Sequence, residues 1–314
     1  MVRDWTRVET WRFFEPPNGG GNNDYAFVAT RLFGSVQRTA PAYDLTAALQ
    51  YVQFGGLPSD AVGPGPLGTG AVYYAHAGCS DSHQVYLRYA NVRFKRLVPH
   101  TTIQVGRMPY ASGGEAASAN PKIEAVRAQR IAARVIGEFG WSIYQRAYDG
   151  VRVDTASRRW TATGFAFHPT QGGFEDDRHG TFFAMLPTVR QYAQSALYSQ
   201  MNNTDLFAQL LARPRTNMNV RLDWHRVGLA TSSDGWYYGS GATQEHGTIF
   251  GCATRPSFGA THLATIGEGS VDYAIAPHWS VNGYLAVARA GGVVKPAFAG
   301  HTLTFAYLEN VLQF

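Results

Sequence analysis

The chain has 314 residues, of which 45% are hydrophobic and only 16% are charged, and its net charge is +5 with a pI near 9.2. Soluble globular proteins usually contain about 25% charged residues, so the charge content is low for a chain of this length. No stretch reaches the roughly 18 consecutive apolar residues of a membrane-spanning helix, which excludes a helical membrane protein. The basic residues are dispersed along the chain, and this argues against a nucleic-acid partner.

Two-residue alternation of polar and apolar side chains recurs from one end of the chain to the other. Successive side chains of a β-strand point to opposite faces, so the pattern predicts strands with one polar and one apolar face. About fourteen strands are predicted in this way. In chain order they lie near residues 3–14, 24–38, 42–54, 83–96, 100–110, 145–154, 159–168, 180–186, 189–199, 204–212, 217–231, 261–275, 279–291 and 301–314.

The connections between these strands alternate between short and long. Short connections rich in proline and polar turn-forming residues lie at 39–42, 98–100, 157–159, 186–188, 213–216 and 276–278. The connections that alternate with these are long, except for the fifth. They lie at 16–23, 55–82, 111–145, 168–179, 201–203, 232–260 and 292–300. Short turns at one end and long loops at the other are typical of bacterial outer-membrane β-barrels.

Together these patterns predict an all-β fold, a transmembrane antiparallel up-and-down β-barrel of about fourteen strands in the bacterial outer membrane. We expect residues 1–314 to form a single domain with long extracellular loops at 55–82, 111–145 and 232–260. A water-soluble β-sandwich would show the same alternation, with its apolar face packed inward. The sequence leaves that alternative open.

Residues 217–225 show the two faces most clearly. Arg221 and Asp223 fall on one parity, whereas Leu222 and Trp224 fall on the other. In a membrane barrel the apolar parity would face lipid and the ionic parity would face pore water.

Several strand-like segments resemble the alginate-export family of outer-membrane porins. They are RAYDGVRV (146–153), RPRTNMNVRLDWHRVGLA (213–230), DGWYYGSGA (234–242), SVDYAIAPHWSVNGYLAVARAGG (270–292) and FAYLENVLQF (305–314). The resemblance implies a monomeric barrel whose lumen carries arginines and opposed acidic groups and passes anionic solutes. Because the alginate exporter itself is longer and wider, we expect smaller solutes such as sugar acids or acidic oligosaccharides.

The polar parity of the predicted strands carries many arginines, and a ring of fixed positive charge would raise the local concentration of anions in a narrow pore. An alternative is that these arginines pair with neighbouring carboxylates and stiffen the wall, since charges away from bulk water need partners. The predicted pore-lining residues are Arg7, Glu9, Arg31, Arg93, Arg152, Asp154, Arg190, Asp205, Arg213, Arg221, Asp223, His225, Glu268, Asp272 and Glu309.

Residues 120–136 break the two-residue period and predict a helix, with Asn120 as its N-cap and Pro121 at the first helical position. This helix lies in the longest loop. We expect it to fold into the mouth of the barrel as a constriction, and an external position is the open alternative. The arginines of this predicted constriction are Arg127, Arg130 and Arg134.

The two cysteines, Cys79 and Cys252, both fall in predicted outer loops, where an oxidising environment would allow a disulfide between them. They have neither CxxC spacing nor a nearby cluster of histidines, so no metal site is expected.

No catalytic residue and no cofactor are expected, because the sequence spacing around Asp223 and His225 implies no nucleophile. The expected partners are outer-membrane lipid and lipopolysaccharide together with an anionic or polar solute. Two alternatives stay open. One is a barrel with a plugged lumen that acts as a scaffold or receptor, and the other is a secreted carbohydrate-active β-protein, which would need a converging pair of carboxylates.

Overall fold

The computed structural model describes residues 1–64, 69–113, 118–130, 136–138, 140, 142–157, 160–170, 202–237 and 254–314. These residues form mainly strands, together with two helices. The first half of the chain contains β1 (Val2–Arg12), β2 (Asp24–Thr39), β3 (Tyr43–Gly55), α1 (Thr69–Ala77), β4 (Ser82–Val98), β5 (Thr101–Met108), α2 (Pro121–Arg130) and β6 (Tyr148–Ala156). The second half contains β7 (Thr161–Pro169), β8 (Thr204–Arg215), β9 (Met218–Gly228), β10 (Trp236–Tyr237), β11 (Thr254–Arg255), β12 (His262–Ala276), β13 (Trp279–Ala290) and β14 (Thr302–Gln313).

Twelve strands form one sheet in the order β7-β6-β5-β4-β3-β2-β1-β14-β13-β12-β9-β8, and β10 pairs with β11 separately. The first and last strands are antiparallel neighbours, with Arg7 opposite Glu309. Along the sheet, the other neighbouring strands follow one another in chain order, apart from the short β10 and β11, and β7 and β8 lie at its two ends. This is the strand order of an up-and-down barrel. The predicted all-β, antiparallel, up-and-down fold is confirmed. Two further predicted strands, 180–186 and 189–199, lie outside the described residues.

The alternation of short and long connections is also confirmed where the structure describes it. Short turns join β2 to β3, β4 to β5, β6 to β7, β8 to β9 and β12 to β13. In the first of them the Ala40 amide donates a hydrogen bond to the Tyr43 carbonyl over 2.8 Å. The long connections contain α1, α2 and the β10–β11 pair, of which the sequence predicted only α2. None of the described helices has the length and apolar character needed to cross a membrane.

The strands have two chemically different faces, which we call the ionic face and the aliphatic face. On β9, Leu222 and Trp224 of the aliphatic face are 51% and 43% exposed, whereas Asp223 and His225, which alternate with them, are 6% and 0% exposed. Exposed members of the aliphatic face include Val8, Val28, Leu49, Leu87, Val105, Val151, Leu210, Leu222, Val271, Leu285 and Leu308. Buried members of the ionic face include Arg7, Glu9, Arg31, Gln50, Arg88, Asp223, His225 and Glu268.

The chain divides into two compact units. One consists of Met1–Val2, Leu32–Val52 and Gln84–Gln191, and the other of Arg3–Arg31, Gln53–His83 and Tyr192–Phe314. In the first unit Tyr110 packs on Tyr148 and Phe167, with ring centroids 6.2 and 5.2 Å away. In the second unit an aromatic core contains Trp11 stacked on Phe305 at 3.9 Å and Phe298 against Phe13, Phe14 and Trp236. The prediction of a single domain stays a prediction.

Candidate functional site

Arg7 lies on the ionic face of β1, between two carboxylates. Its Nη1 is 2.9 Å from Glu9 Oε1, and its Nη2 is 2.8 Å from Oε2 of Glu309 on the paired strand. The guanidinium also lies over the rings of Trp5 and Tyr307, 4.4 and 4.5 Å from their centroids. Cation–π contacts of this kind stabilise a charge that is withdrawn from water. Three residues predicted to line the pore, Arg7, Glu9 and Glu309, thus form one ion-paired cluster.

A second cluster brings together predicted residues from β8, β9 and β12. His225 Nδ1 lies 2.9 Å from Asp205 Oδ2, and Tyr284 donates a hydrogen bond to Glu268 over 2.6 Å. Arg221 forms an ion pair with Asp223, and its Nη2 is 4.0 Å from Glu268 Oε1. The strand register places Asp223 directly opposite Glu268. These contacts satisfy much of the charge buried on this face.

The remaining predicted pore-lining residues are less buried. Arg152 bonds Asp154 within β6, and the Thr163 hydroxyl donates to the same carboxylate. Arg93, Arg213 and Asp272 are exposed, and Arg190 lies outside the described residues. Arg213 donates to Asn219 over 3.0 Å, and Asn282 donates to Asp272 over 2.5 Å. Arg31, by contrast, is buried with its guanidinium 4.7 Å from the centre of the Trp5 ring.

Part of the long connection between β5 and β6 folds against the ionic face of β3 and β4. The backbone carbonyl of Tyr144 accepts hydrogen bonds from the Gln50 amide over 3.0 Å and from the Tyr86 hydroxyl. Glu138 accepts bonds of 2.5 Å from Arg88 and from Tyr89. The described end of this connection is therefore anchored to the wall by polar contacts.

Sequence reasoning missed Arg88, Gln50 and Tyr86 as members of this face. A signal was present, because Tyr86 and Arg88 alternate with Val85 and Leu87 as the other predicted residues do. Their partners in the long connection carried no such signal, since a loop residue has no periodicity that indicates where it packs.

The helix in this connection begins as predicted. The Asn120 side chain accepts a hydrogen bond of 3.0 Å from the Lys122 amide, and the helix runs over Pro121–Arg130. Arg127 pairs with Glu124 and donates to the Gly113 carbonyl, and this pairing lowers the pKa of Glu124 to about 2. The helix itself is therefore held by local contacts. The Arg130 side chain and Arg134 lie outside the described residues, so the predicted constriction by these arginines stays a prediction.

The connection between β3 and β4 also packs inward on its own unit, through a helix that the sequence did not predict. Tyr73 of α1 lies against Phe27 and Phe54, with ring centroids 6.2 and 4.6 Å away. Cys79 follows α1 and is exposed with a free thiol. Its predicted partner Cys252 lies outside the described residues, so the disulfide stays a prediction.

No known family model matches the chain, and no curated protein matches it. Solved structures do resemble it in comparisons that cover nearly the whole chain. OccK9 (OpdG) of Pseudomonas aeruginosa is 11% identical, with 99% of this chain and 97% of that chain covered and a TM-score of 0.43. OprB of Pseudomonas putida is 8% identical, with 100% and 93% covered and a TM-score of 0.46. The outer membrane protein OpdK of Pseudomonas aeruginosa is 10% identical, with 99% of both chains covered and a TM-score of 0.40.

Proposed function

We propose that the protein is an outer-membrane β-barrel channel through which small polar and anionic solutes diffuse passively. The observation that carries the proposal is the polarity of the sheet, whose aliphatic face is exposed while its ionic face is buried. In water a protein with these two faces would be destabilised for two reasons: apolar surface is exposed to solvent, and charged groups are withdrawn from it. In a bilayer the aliphatic face meets hydrocarbon, and the ionic face lines an aqueous interior.

A barrel also explains how the backbone could cross a membrane. Every backbone amide and carbonyl in the hydrocarbon region needs a partner, and a sheet closed on itself supplies one for each strand. Twelve strands in up-and-down order, with the first and last chain segments paired, support this arrangement.

The solute class is proposed from the ionic face and from the sequence resemblance to alginate-export porins. Arg93, which is exposed on β4, would present its guanidinium group to a passing carboxylate, which it can bind with two parallel hydrogen bonds. Arg7, Arg152 and Arg221 are already ion-paired with the wall. We therefore expect a modest preference for anions, and sugar acids or acidic oligosaccharides as solutes of a monomeric channel.

Lipid and lipopolysaccharide are the proposed partners of the aliphatic face. On this face Arg226 and Arg289 flank Thr265 in neighbouring strands, near the ends from which the long connections leave. Both arginines are exposed. Their charges would lie beside lipid phosphate groups at the outer surface, whereas the strand centres carry aliphatic side chains.

Bilayer recording tests the proposal directly. The purified chain is expected to give steady single-channel current, with a reversal potential in a salt gradient that indicates anion preference. Candidate sugar acids should then block this current in a concentration-dependent way. Cation selectivity would reject the proposed solute class, and an absence of steady current would reject the channel.

A plugged barrel serving as scaffold or receptor is the second candidate, and one observation favours it. Phe298 of the connection between β13 and β14 packs on Phe13, Phe14 and Trp236 in the second unit, which fills space at the long-loop end with aromatic rings. A barrel closed by such packing would fold in lipid and conduct nothing. The same recordings distinguish the two candidates.

A further inference from the structure

The second ionic cluster has a feature that ion pairing does not explain. Asp223, His225 and Glu268 are all buried, and one potential metal ligand from each lies within 4.8 Å of the others. Residues of β9 and β12 come together here because Asp223 is opposite Glu268, and His225 is two residues further along the same face. This arrangement could not be predicted from sequence, since no metal-ligand spacing occurs within either strand.

Among the residues that the structure describes, two buried atoms of the cluster have no hydrogen-bond partner. These are Nε2 of His225, whose side chain is fully inaccessible, and Oδ1 of Asp223. Buried polar atoms are almost always satisfied, and leaving one unsatisfied costs about 1–3 kcal/mol. An imidazole nitrogen and a carboxylate oxygen that share a pocket and lack donors are suitable ligands for a cation.

The other ring nitrogen of His225 is already held in place. Nδ1 lies 2.9 Å from Asp205 Oδ2, and a carboxylate there stabilises the tautomer with hydrogen on Nδ1. That tautomer leaves the lone pair of Nε2 available. Histidines that bind metals commonly donate their second N–H to a carboxylate in this way, which orients the ring and raises its basicity.

The charge of the cluster favours a divalent ion. Asp205, Asp223 and Glu268 bring three carboxylates together on this face, and Arg221 forms ion pairs with Asp223 and Glu268. Positive charge stabilises carboxylates that are withdrawn from water, and a divalent cation bound among these three would supply it.

We propose that Asp223, His225 and Glu268 bind a divalent first-row transition-metal ion in the wall of the barrel, with Asp205 as a positioning residue. Carboxylate and imidazole ligands suit zinc and its neighbours better than the harder magnesium and calcium ions, which prefer oxygen alone. Three protein ligands leave the fourth position of a tetrahedral ion to water or to an acidic group of a solute. The proposal concerns binding and does not depend on conduction.

Zinc uptake by the full chain in detergent, after treatment with a chelator, tests the proposal. The wild type is expected to bind one Zn²⁺ saturably by equilibrium dialysis, and its unfolding temperature should rise with zinc concentration because the ion binds the folded state. His225→Gln, Asp223→Asn and Glu268→Gln should each abolish this uptake. Asp205→Asn should retain uptake with an affinity about 10- to 100-fold weaker.

Two matched variants control for nonspecific binding. Asp272→Asn removes an exposed carboxylate from β12, and His301→Gln removes an exposed histidine, so both should bind zinc like the wild type. The three ligand variants are independent tests, and circular dichroism shows which of them fold. Any folded ligand variant is sufficient to test whether the site binds zinc. If the wild type shows neither saturable uptake nor thermal stabilisation, or if a folded ligand variant binds as tightly, the proposed site is wrong.

Discussion

Individual residues of the ionic face differ in how far neighbouring carboxylates neutralise them. Arg7 contacts both Glu9 and Glu309, whereas Arg93 is exposed on β4. Fixed charge influences permeating ions most where it is not compensated locally. Arg93 should therefore contribute more to the ion selectivity of the channel than the buried Arg7, which mainly stabilises the barrel wall through its ion pairs.

Replacing Arg93 by glutamine is expected to shift the reversal potential of the channel toward cations, because one accessible positive charge is lost from the pore. Arg226→Gln removes an exposed arginine from the aliphatic face of β9 and serves as the control. Reversal potentials measured across a tenfold salt gradient compare the two variants. Equal effects of both, or an unchanged value for Arg93→Gln, would show that Arg93 does not act on permeating ions.

Glu9→Gln is expected to destabilise the fold. The substitution leaves Glu309 as the one carboxylate paired with Arg7 among the described residues. It also leaves a single amide oxygen where Glu9 now accepts from both Arg7 and the indole N–H of Trp11, over 2.9 and 3.1 Å. Removal of one partner from a buried ion pair costs roughly 3 kcal/mol. Urea unfolding from lipid vesicles should show this loss, whereas Glu15→Gln at an exposed position should change stability little. If the Glu9→Gln variant is as stable as the control, the Arg7–Glu9 ion pair makes no net contribution to the free energy of unfolding.

At the scale of whole elements, the strands could be predicted from sequence but their partners across the fold could not. Alternation of side chains is local, so β9 and its two faces follow from residues 217–225 alone. The juxtaposition of His225 with Asp205 and of Asp223 with Glu268 depends on register between strands, which no single segment contains. The helix α1 was missed because the apolar residues of TGAVYYAHA show no regular helical spacing, and its stability comes from packing of Tyr73 rather than from propensity.

The long connection between β5 and β6 should control the size of the open pore. Glu138→Gln weakens its charged anchor to Arg88, so the connection should leave the wall more often, and single-channel current should become noisier and larger. Glu124→Gln is the matched control, because Glu124 pairs with Arg127 inside α2. The two variants are compared by current amplitude and by open-state noise. If Glu138→Gln conducts like the control, the connection does not limit the pore.

For the molecule as a whole, the decisive property is which solvent the aliphatic face meets. Leu222 lies near the middle of β9 and is 51% exposed, and Gln209 of β8 lies on the ionic face beside Asp223. In a bilayer an arginine at the midplane on the lipid-facing side costs about 2–4 kcal/mol, whereas the lumen-facing side tolerates polar substitution. In water the same arginine at an exposed position would have little effect.

Leu222→Arg is therefore expected to reduce the free energy of folding into lipid vesicles by up to about 2–4 kcal/mol, and Gln209→Arg by much less. Folding is measured by denaturant titration in vesicles, with tryptophan fluorescence as the signal. A large difference between the two variants supports a lipid-facing aliphatic face. If both variants fold with wild-type stability, the aliphatic face does not meet hydrocarbon, and the proposed membrane channel must be abandoned.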